Sequence, residues 1–254
     1  MRKHFLAIAL TALCGCSTGG TPLPVRAETT MKVEVLAEFP RDPDAFTQGL
    51  EMHDGVLFES AGSRGGSSVR TVDYRTGEVL RKAGLVAPLR GSGITVVDDR
   101  IWQLTWQDGA AIRRDLTTLA EINRVAYTGE GWGLCHDGTR LVMSDGTAKL
   151  TFRDPVTFAV IGTVDVTRGG EPVEDVEELE CVDGAVWANL WESAEIVRID
   201  PASGEVTAGA DLGSLRPRGS GDEILNGIAA VPGTGEFLVT GKNWHRTYRI
   251  RLTG

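Results

Sequence analysis

One unit recurs five times along this chain, and it limits the folds open to it. Glu130 to Gly146 reads EGWGLCHDGTRLVMSDG: a polar residue and glycine, a short apolar strand, a tight Asp-Gly turn, and a second apolar strand ending in polar residues. Related copies begin at Phe46 (FTQGLEMHDGVLFESAG), Gly91 (GSGITVVDDRIWQLTW), Glu177 (EELECVDGAVWANLW) and Leu225 (LNGIAAVPGTGEFLVTGK). The aligned positions are Gly49, Gly93, Gly133, Glu178 and Gly227, at separations of 44, 40, 45 and 49 residues. Strand pairs at such a period, with no helical pattern, are the mark of propeller blades. One blade cannot bury its own faces, so the copies must stack into a single domain.

The strands that follow each pair support this. Asp73-Tyr74-Arg75-Thr76-Gly77-Glu78, Asp115-Leu116-Thr117-Thr118, Asp154-Pro155-Val156-Thr157 and Asp200-Pro201-Ala202-Ser203-Gly204-Glu205 are turns between a third and a fourth strand. Asp and Thr or Ser there bond their own turn backbone. Four copies thus have four strands and the fifth has three. Val33–Phe39 is a spare strand at the other end of the chain. The expected fold is an all-β, five-bladed propeller over residues 31–254, with the N-terminal strand closing the last blade. Leu212–Asp222 is the longest irregular stretch of the domain and is expected to overhang one face.

The first thirty residues are of another kind. Arg2 and Lys3 precede an apolar run from Phe5 to Leu13, too short to span a membrane and typical of a signal peptide. Leu13-Cys14-Gly15-Cys16 resembles a lipobox, so residues 1–15 are read as a signal peptide and Cys16 as a lipidated cysteine. Ser17 to Thr30, rich in Gly, Pro, Ser and Thr, reads as a flexible tether. The mature protein is then exported, either as a lipoprotein or after simple cleavage. A net charge of −9 leaves no basic face for nucleic acid. Cys135 and Cys181 lie at matching places in adjacent copies, where blades are expected to stand too far apart for a bridge, so both are read as buried thiols.

Matching positions of propeller blades converge on one end of the central channel, so the repeat also indexes a site. The residues before the aligned positions are Gln48, Ser92, Trp132, Glu177 and Asn226. The second strands end at Glu59–Ser60, Thr105–Trp106, Ser144–Asp145, Leu190–Trp191 and Gly241–Lys242. Amides, a carboxylate, a lysine and several tryptophans make a polar pocket with aromatic walls. Each residue also has an ordinary reading. The tryptophans Trp106, Trp132 and Trp191 could be core, and Gln48 and Asn226 could satisfy backbone groups. Lys242 could be a solvated surface lysine, and Ser92 a small filler. Glu177 stands in an acidic run with Glu171, Glu174, Asp175, Glu178 and Glu180, which reads as a solvated loop. Asp145 is expected to cap its turn, and Arg90 has no assigned part.

FTQGLE, GIT followed by QLTW, EGWGL, MSDG, WANLW, LNGIA and VTGK, in this order from about Val33 to the end, resemble the plant-type glutaminyl cyclases. The resemblance implies a five-bladed propeller and a metal-independent cyclisation of N-terminal glutamine to pyroglutamate, with loss of ammonia and without a cofactor. The four scattered histidines, His4, His53, His136 and His245, have no ligand-like spacing. The resemblance also implies site residues. Phe46 and Gln48 fall in FTQGLE, Asn226 in LNGIA and Lys242 in VTGK, while Trp106, Trp132 and Trp191 become walls for the substrate. The implied partner is a peptide or protein with an N-terminal Gln, taken up by a monomer that touches the membrane only through Cys16.

Two runs depart from the family pattern. Where the family has Phe-Gly-Glu-Gly-Ile-Thr, with the Glu as proton donor, this chain has Arg90-Gly91-Ser92-Gly93-Ile94-Thr95. Where the family has Asn-Glu-Leu-Glu, it has Glu177-Glu178-Leu179-Glu180. Either the acid has moved from the second copy to Glu177, or catalysis is lost and a pocket for peptide N-termini or another small ligand remains. A third reading is a scaffold lipoprotein.

Overall fold

A computed structural model describes residues 27–62, 66–217 and 223–254. The chain forms five antiparallel blades. Blade 1 is Phe46–His53, Val56–Gly62, Ser68–Asp73 and Glu78–Gly84. Blade 2 is Gly91–Val97, Arg100–Thr105, Ala110–Asp115 and Glu121–Ala126. Blade 3 is Leu134–His136, Leu141–Ser144, Lys149–Arg153 and Val160–Asp165. Blade 4 is Val176–Val182, Ala185–Leu190, Glu195–Ile199 and Val206–Asp211. Blade 5 takes Leu225–Val231, Glu236–Gly241 and Arg246–Thr253, and its outer strand is Lys32–Pro40, antiparallel to Arg246–Thr253 with Lys32 opposite Thr253. The spare strand closes the ring as expected.

Local chemistry accounts for the blades. Asp54-Gly55 and Asp183-Gly184 both hold positive φ (48° and 77°, 52° and 72°) in two-residue hairpin turns, which match the twist of the strands they join. Asp115 Oδ1 accepts from the Thr117 and Thr118 amides and the Thr118 hydroxyl, and Asp154 treats Val156 and Thr157 alike. Between blades the contact is apolar. Phe58 and Val69 of blade 1 cluster with Ile94 and Ile101 of blade 2. Trp102 and Leu104 of blade 2 cluster with Leu134 and Leu141 of blade 3. Similar clusters join blades 3 and 4, 4 and 5, and 5 and 1. The core is therefore a set of seams between blades, as stacked repeats require.

The repeated glycine has a steric cause. Inner strands crowd the axis, and a Cβ on Gly93 would stand 2.6 Å from Leu134 N, while one on Gly133 would stand 2.2 Å from Glu177 O. Blade 4 alone carries a side chain at this point. The Glu178 carboxylate crosses to accept from Leu50 N of blade 1 (3.0 Å) and Ile228 N of blade 5 (2.8 Å). Burial pushes this carboxyl well above its usual range, and the two amides oppose the shift. Further along the channel, burial raises the Glu51 carboxyl to about 7, and Glu180, buried beside Glu51 and Glu178, is pushed well up as well.

Crowding at the axis also corrects the reading of the cysteines. Cys135 and Cys181 form a disulfide, with Cα atoms 5.4 Å apart. Blades diverge outward, but their inner strands approach within bridging distance. The N-terminal segment differs in part too. Thr29–Thr30, read as the end of the tether, pairs in parallel with the outer strand of blade 4 at Ala208 and Gly209. The signal peptide and Cys16 lie outside the described residues. So does part of Leu212–Asp222, whose described portion includes a short 3-10 turn at Gly213–Leu215.

Candidate functional site

A β-bulge at the head of the inner strands creates the convergence. Strand register slips between Thr47 and Gly49, between Gly91 and Ile94, between Val176 and Leu179, and between Leu225 and Ile228. The residues inside these slips are Gln48, Ser92–Gly93, Glu177–Glu178 and Asn226–Gly227. A bulge leaves its extra residue unpaired and re-aims the side chain. In blade 3, Trp132 takes the matching place just before its inner strand, its N–H bonded to Ser144 O at 3.0 Å.

Glu177 and Lys242 are the charged heart of this end. The Lys242 ammonium donates to Glu177 Oε1, and both side chains are more than nine-tenths buried (6% exposed for Lys242, 8% for Glu177). This burial excludes the ordinary reading of Glu177 as part of a solvated acidic loop. Glu171, Glu174 and Asp175 are exposed, but the bulge at Glu177 turns the run inward. Burial pushes the Glu177 carboxyl above its usual range and Lys242 pulls it back. Its second oxygen, Oε2, is buried without a hydrogen-bond partner. A carboxyl raised by burial, with one oxygen unused, is a candidate proton donor.

The polar neighbours are close. Asn226, fully buried, donates through Nδ2 to Thr47 O (3.0 Å) and Gln48 Oε1 (3.3 Å), and its Oδ1 has no partner. The Lys242 ammonium lies 5.5 Å from the centroid of the Phe46 ring. Phe46, Gln48, Arg90, Trp106 and Asn243 line an open cavity of about 900 Å³. Under this wall Arg41 and Arg70 both pair with Glu59, holding its carboxyl below the usual range against burial, and Arg41 also donates to Thr47 and Thr240. This network ties the segment after the closing strand to blades 1 and 5.

The three tryptophans form one wall. Trp132 and Trp191 meet edge to face at 6.0 Å between ring centroids. Trp106 and Trp132 both donate their indole N–H to Glu130 Oε2, at 2.8 and 2.9 Å. Trp191 is the most open of the three, 39% exposed. Ser92 is placed differently from a substrate contact: its hydroxyl donates to Trp132 O at 2.6 Å, so it braces the main chain under the wall. Asp145 caps its turn through the Thr147 amide and hydroxyl. Arg90 packs over Trp106, its guanidinium carbon 4.3 Å from the ring centroid.

Two residues of this region escape the sequence reading. Glu130 opens the EGWGL motif, but only the structure shows it bonded to two tryptophans. Asn189 of WANLW accepts from Gly227 N at 3.0 Å and keeps a buried Nδ2 without a partner. Among the described residues, no three His, Cys, Asp or Glu side chains are placed to hold a metal ion.

Fold and site together define a small propeller with a buried carboxylate–lysine pair beside an aromatic wall at one end of its channel. A family model for glutamine cyclotransferase matches residues 7–252. A glutaminyl-peptide cyclotransferase from Arabidopsis thaliana is 40% identical over 229 residues, covering 87% of this chain and 71% of the plant protein. The crystal structure of Myxococcus xanthus glutaminyl cyclase superposes with a TM-score of 0.84 at 35% identity, covering 89% of this chain and 99% of that one. The chain belongs to the glutamine cyclotransferase family.

Proposed function

We propose that this protein is a glutaminyl-peptide cyclotransferase that converts the N-terminal Gln of peptides or proteins to pyroglutamate. The observation that carries this reading is the buried Glu177–Lys242 pair beside the tryptophan wall, in a chain of this family. The substrate's neutral α-amine attacks the δ-carbon of its own side-chain amide. A C–N bond forms, the amide oxygen gathers negative charge, and the amide nitrogen takes up a proton and leaves as ammonia. The attack is intramolecular, so holding the side chain folded back supplies much of the rate. Phe46, Trp106, Trp132 and Trp191 wall the apolar stem. The Lys242 ammonium stabilises the oxygen, and the unpartnered Asn226 Oδ1 is an acceptor for the attacking amine. The Glu177 carboxylate takes the proton that the attacking nitrogen sheds and passes it to the leaving amide nitrogen. Gln48 orients Asn226.

The test is ammonia release from a Gln-initiated peptide by the purified protein, with and without chelator, beside Glu177→Gln. Activity that survives Glu177→Gln unchanged removes the assigned acid. Loss of activity with chelator would contradict the metal-independent reading.

A second reading is a non-catalytic pocket for peptide N-termini. What favours it is Ser92, whose hydroxyl is bound to Trp132 O and leaves no carboxylate in that slot of blade 2. A silent wild type that turns over once Ser92→Glu is introduced would establish it, and an active wild type would end it.

The reading extends to location. A signal peptide at residues 1–15 and a lipid on Cys16 would hold the domain outside the cytoplasm as a monomer. The disulfide is compatible with an oxidising compartment. Mass spectrometry of the membrane-extracted protein, looking for a diacylated Cys16, tests the anchor.

A further inference from the structure

Glu130 takes no part in the chemistry above, yet it is tied to two of the three tryptophans. Its Oε2 accepts both indole N–H groups, and its Oε1 accepts Gln107 Nε2 at 2.7 Å. Gln107 Oε1 in turn accepts from Arg90 at 2.7 Å, and Arg90 covers the face of Trp106. Trp106 is thus held at its edge by Glu130 and on one face by Arg90. Packing restricts where a tryptophan sits, but rotation about its terminal torsion is broad. An acceptor at the single N–H fixes that rotation. One oxygen shared by two indoles also fixes the ring planes relative to one another. Hydrogen bonds from Trp132, Gln107 and Trp106 hold the Glu130 carboxyl below its usual range, so it stays an anion and gives up no proton near neutral pH.

We propose that Glu130 is a positioning residue that sets the angle between the Trp106 and Trp132 rings, and with it the shape of the slot that receives the glutamine side chain. This rests on the cyclotransferase reading for its substrate, but not for its geometry. Arg90, which replaces an aromatic residue of the family pattern, then has a part: with Gln107 it closes the clamp from the solvent side.

The test compares Glu130→Ala and Glu130→Gln with wild type in three measurements: steady-state ammonia release from a Gln-initiated peptide across pH, near-ultraviolet circular dichroism, and thermal unfolding. Losing a charged acceptor that orients a binding wall should raise KM about tenfold in Glu130→Ala, with a smaller effect on kcat. The limbs of the pH profile should stay in place. Glu130→Gln keeps an acceptor oxygen and should recover most of the KM. The tryptophan bands of Glu130→Ala should weaken with no matching fall in Tm. An unchanged KM and unchanged bands in Glu130→Ala overturn the proposal. So does a Glu130→Gln variant as poor as Glu130→Ala that has also lost a pH limb, which would make Glu130 a proton-transfer group. Should wild type release no ammonia, the proposed function fails on its own, and the tryptophan bands of the two variants still decide the role of Glu130.

Discussion

Lys242 of blade 5 reaches Glu177 of blade 4 across the seam between them, and neither side chain is more than a tenth exposed. An ion pair in such a place is costly to form and more costly to break on one side. Lys242→Ala leaves the carboxylate buried without its cation, so it should lose about 3–5 kcal/mol of stability, as buried pairs do when one partner is removed. It should also abolish ammonia release. Urea unfolding with a midpoint equal to wild type would mean that the pair is solvated in practice.

The disulfide between Cys135 and Cys181 closes a loop of 46 residues and joins blades 3 and 4 at the axis. Cys135→Ala with Cys181→Ala should cost roughly 2–4 kcal/mol, since loop closure then restricts the unfolded chain no longer. Thermal unfolding of the double variant against wild type measures it. A reductant should lower the Tm of wild type and leave the variant unmoved.

Stability should also depend on pH through the lower channel. Glu51 has its carboxyl raised from 4.5 to about 7 by burial, with Thr95 donating to it at 3.0 Å, and Glu178 and Glu180 lie alongside. A carboxyl raised in the folded state binds its proton more tightly there than in the unfolded chain. Its contribution is full below the unfolded value and is lost as pH rises through the folded one. Stability should therefore fall between about pH 4.5 and 7, and Glu51→Gln should flatten that slope. Equal slopes in the two proteins would count against the assignment.

Gly146 is fixed by a tryptophan. Its φ is +83°, and a Cβ there would lie 2.6 Å from Cζ2 of Trp132. Gly146→Ala should cost more than about 1 kcal/mol and push Trp132 from its seat, because alanine tolerates neither the backbone angle nor the contact. A weaker fluorescence response to a Gln-initiated peptide would report the displaced ring. Unchanged binding would show that the wall adapts.

What was legible in the sequence follows from what is local. The Asp-Gly hairpins and capped turns lie within a few residues, and the glycine of each inner strand is needed because the neighbouring backbone lies where a side chain would be. The bulge beside that glycine places Gln48, Ser92, Glu177 and Asn226 at one end of the channel, and Trp132 stands at the matching point before its inner strand. The cysteine pair was not legible, because blade spacing is a poor guide at the axis, where the strands converge. Matching positions of the repeat single out Glu177 although its charged neighbours in sequence suggest a solvated loop, since a single bulge separates exposed Asp175 from buried Glu177. Glu130 was hidden for another reason. Its partners are set by the rotation of two indole rings, which no spacing of residues reveals.

The ring closes between strands from opposite ends of the domain, Lys32–Pro40 and Arg246–Thr253. As the chain emerges from its N-terminal end, four blades can be complete while the fifth still has only its outer strand. Until Arg246–Thr253 is made, Lys32–Pro40 has no neighbour on that side and offers a bare edge to other chains. Lys242 also follows Glu177 by 65 residues, so the buried pair cannot form before this late stage. The emerging chain therefore stays unclosed until late, and the finished ring and the buried ion pair form in nearly the same step.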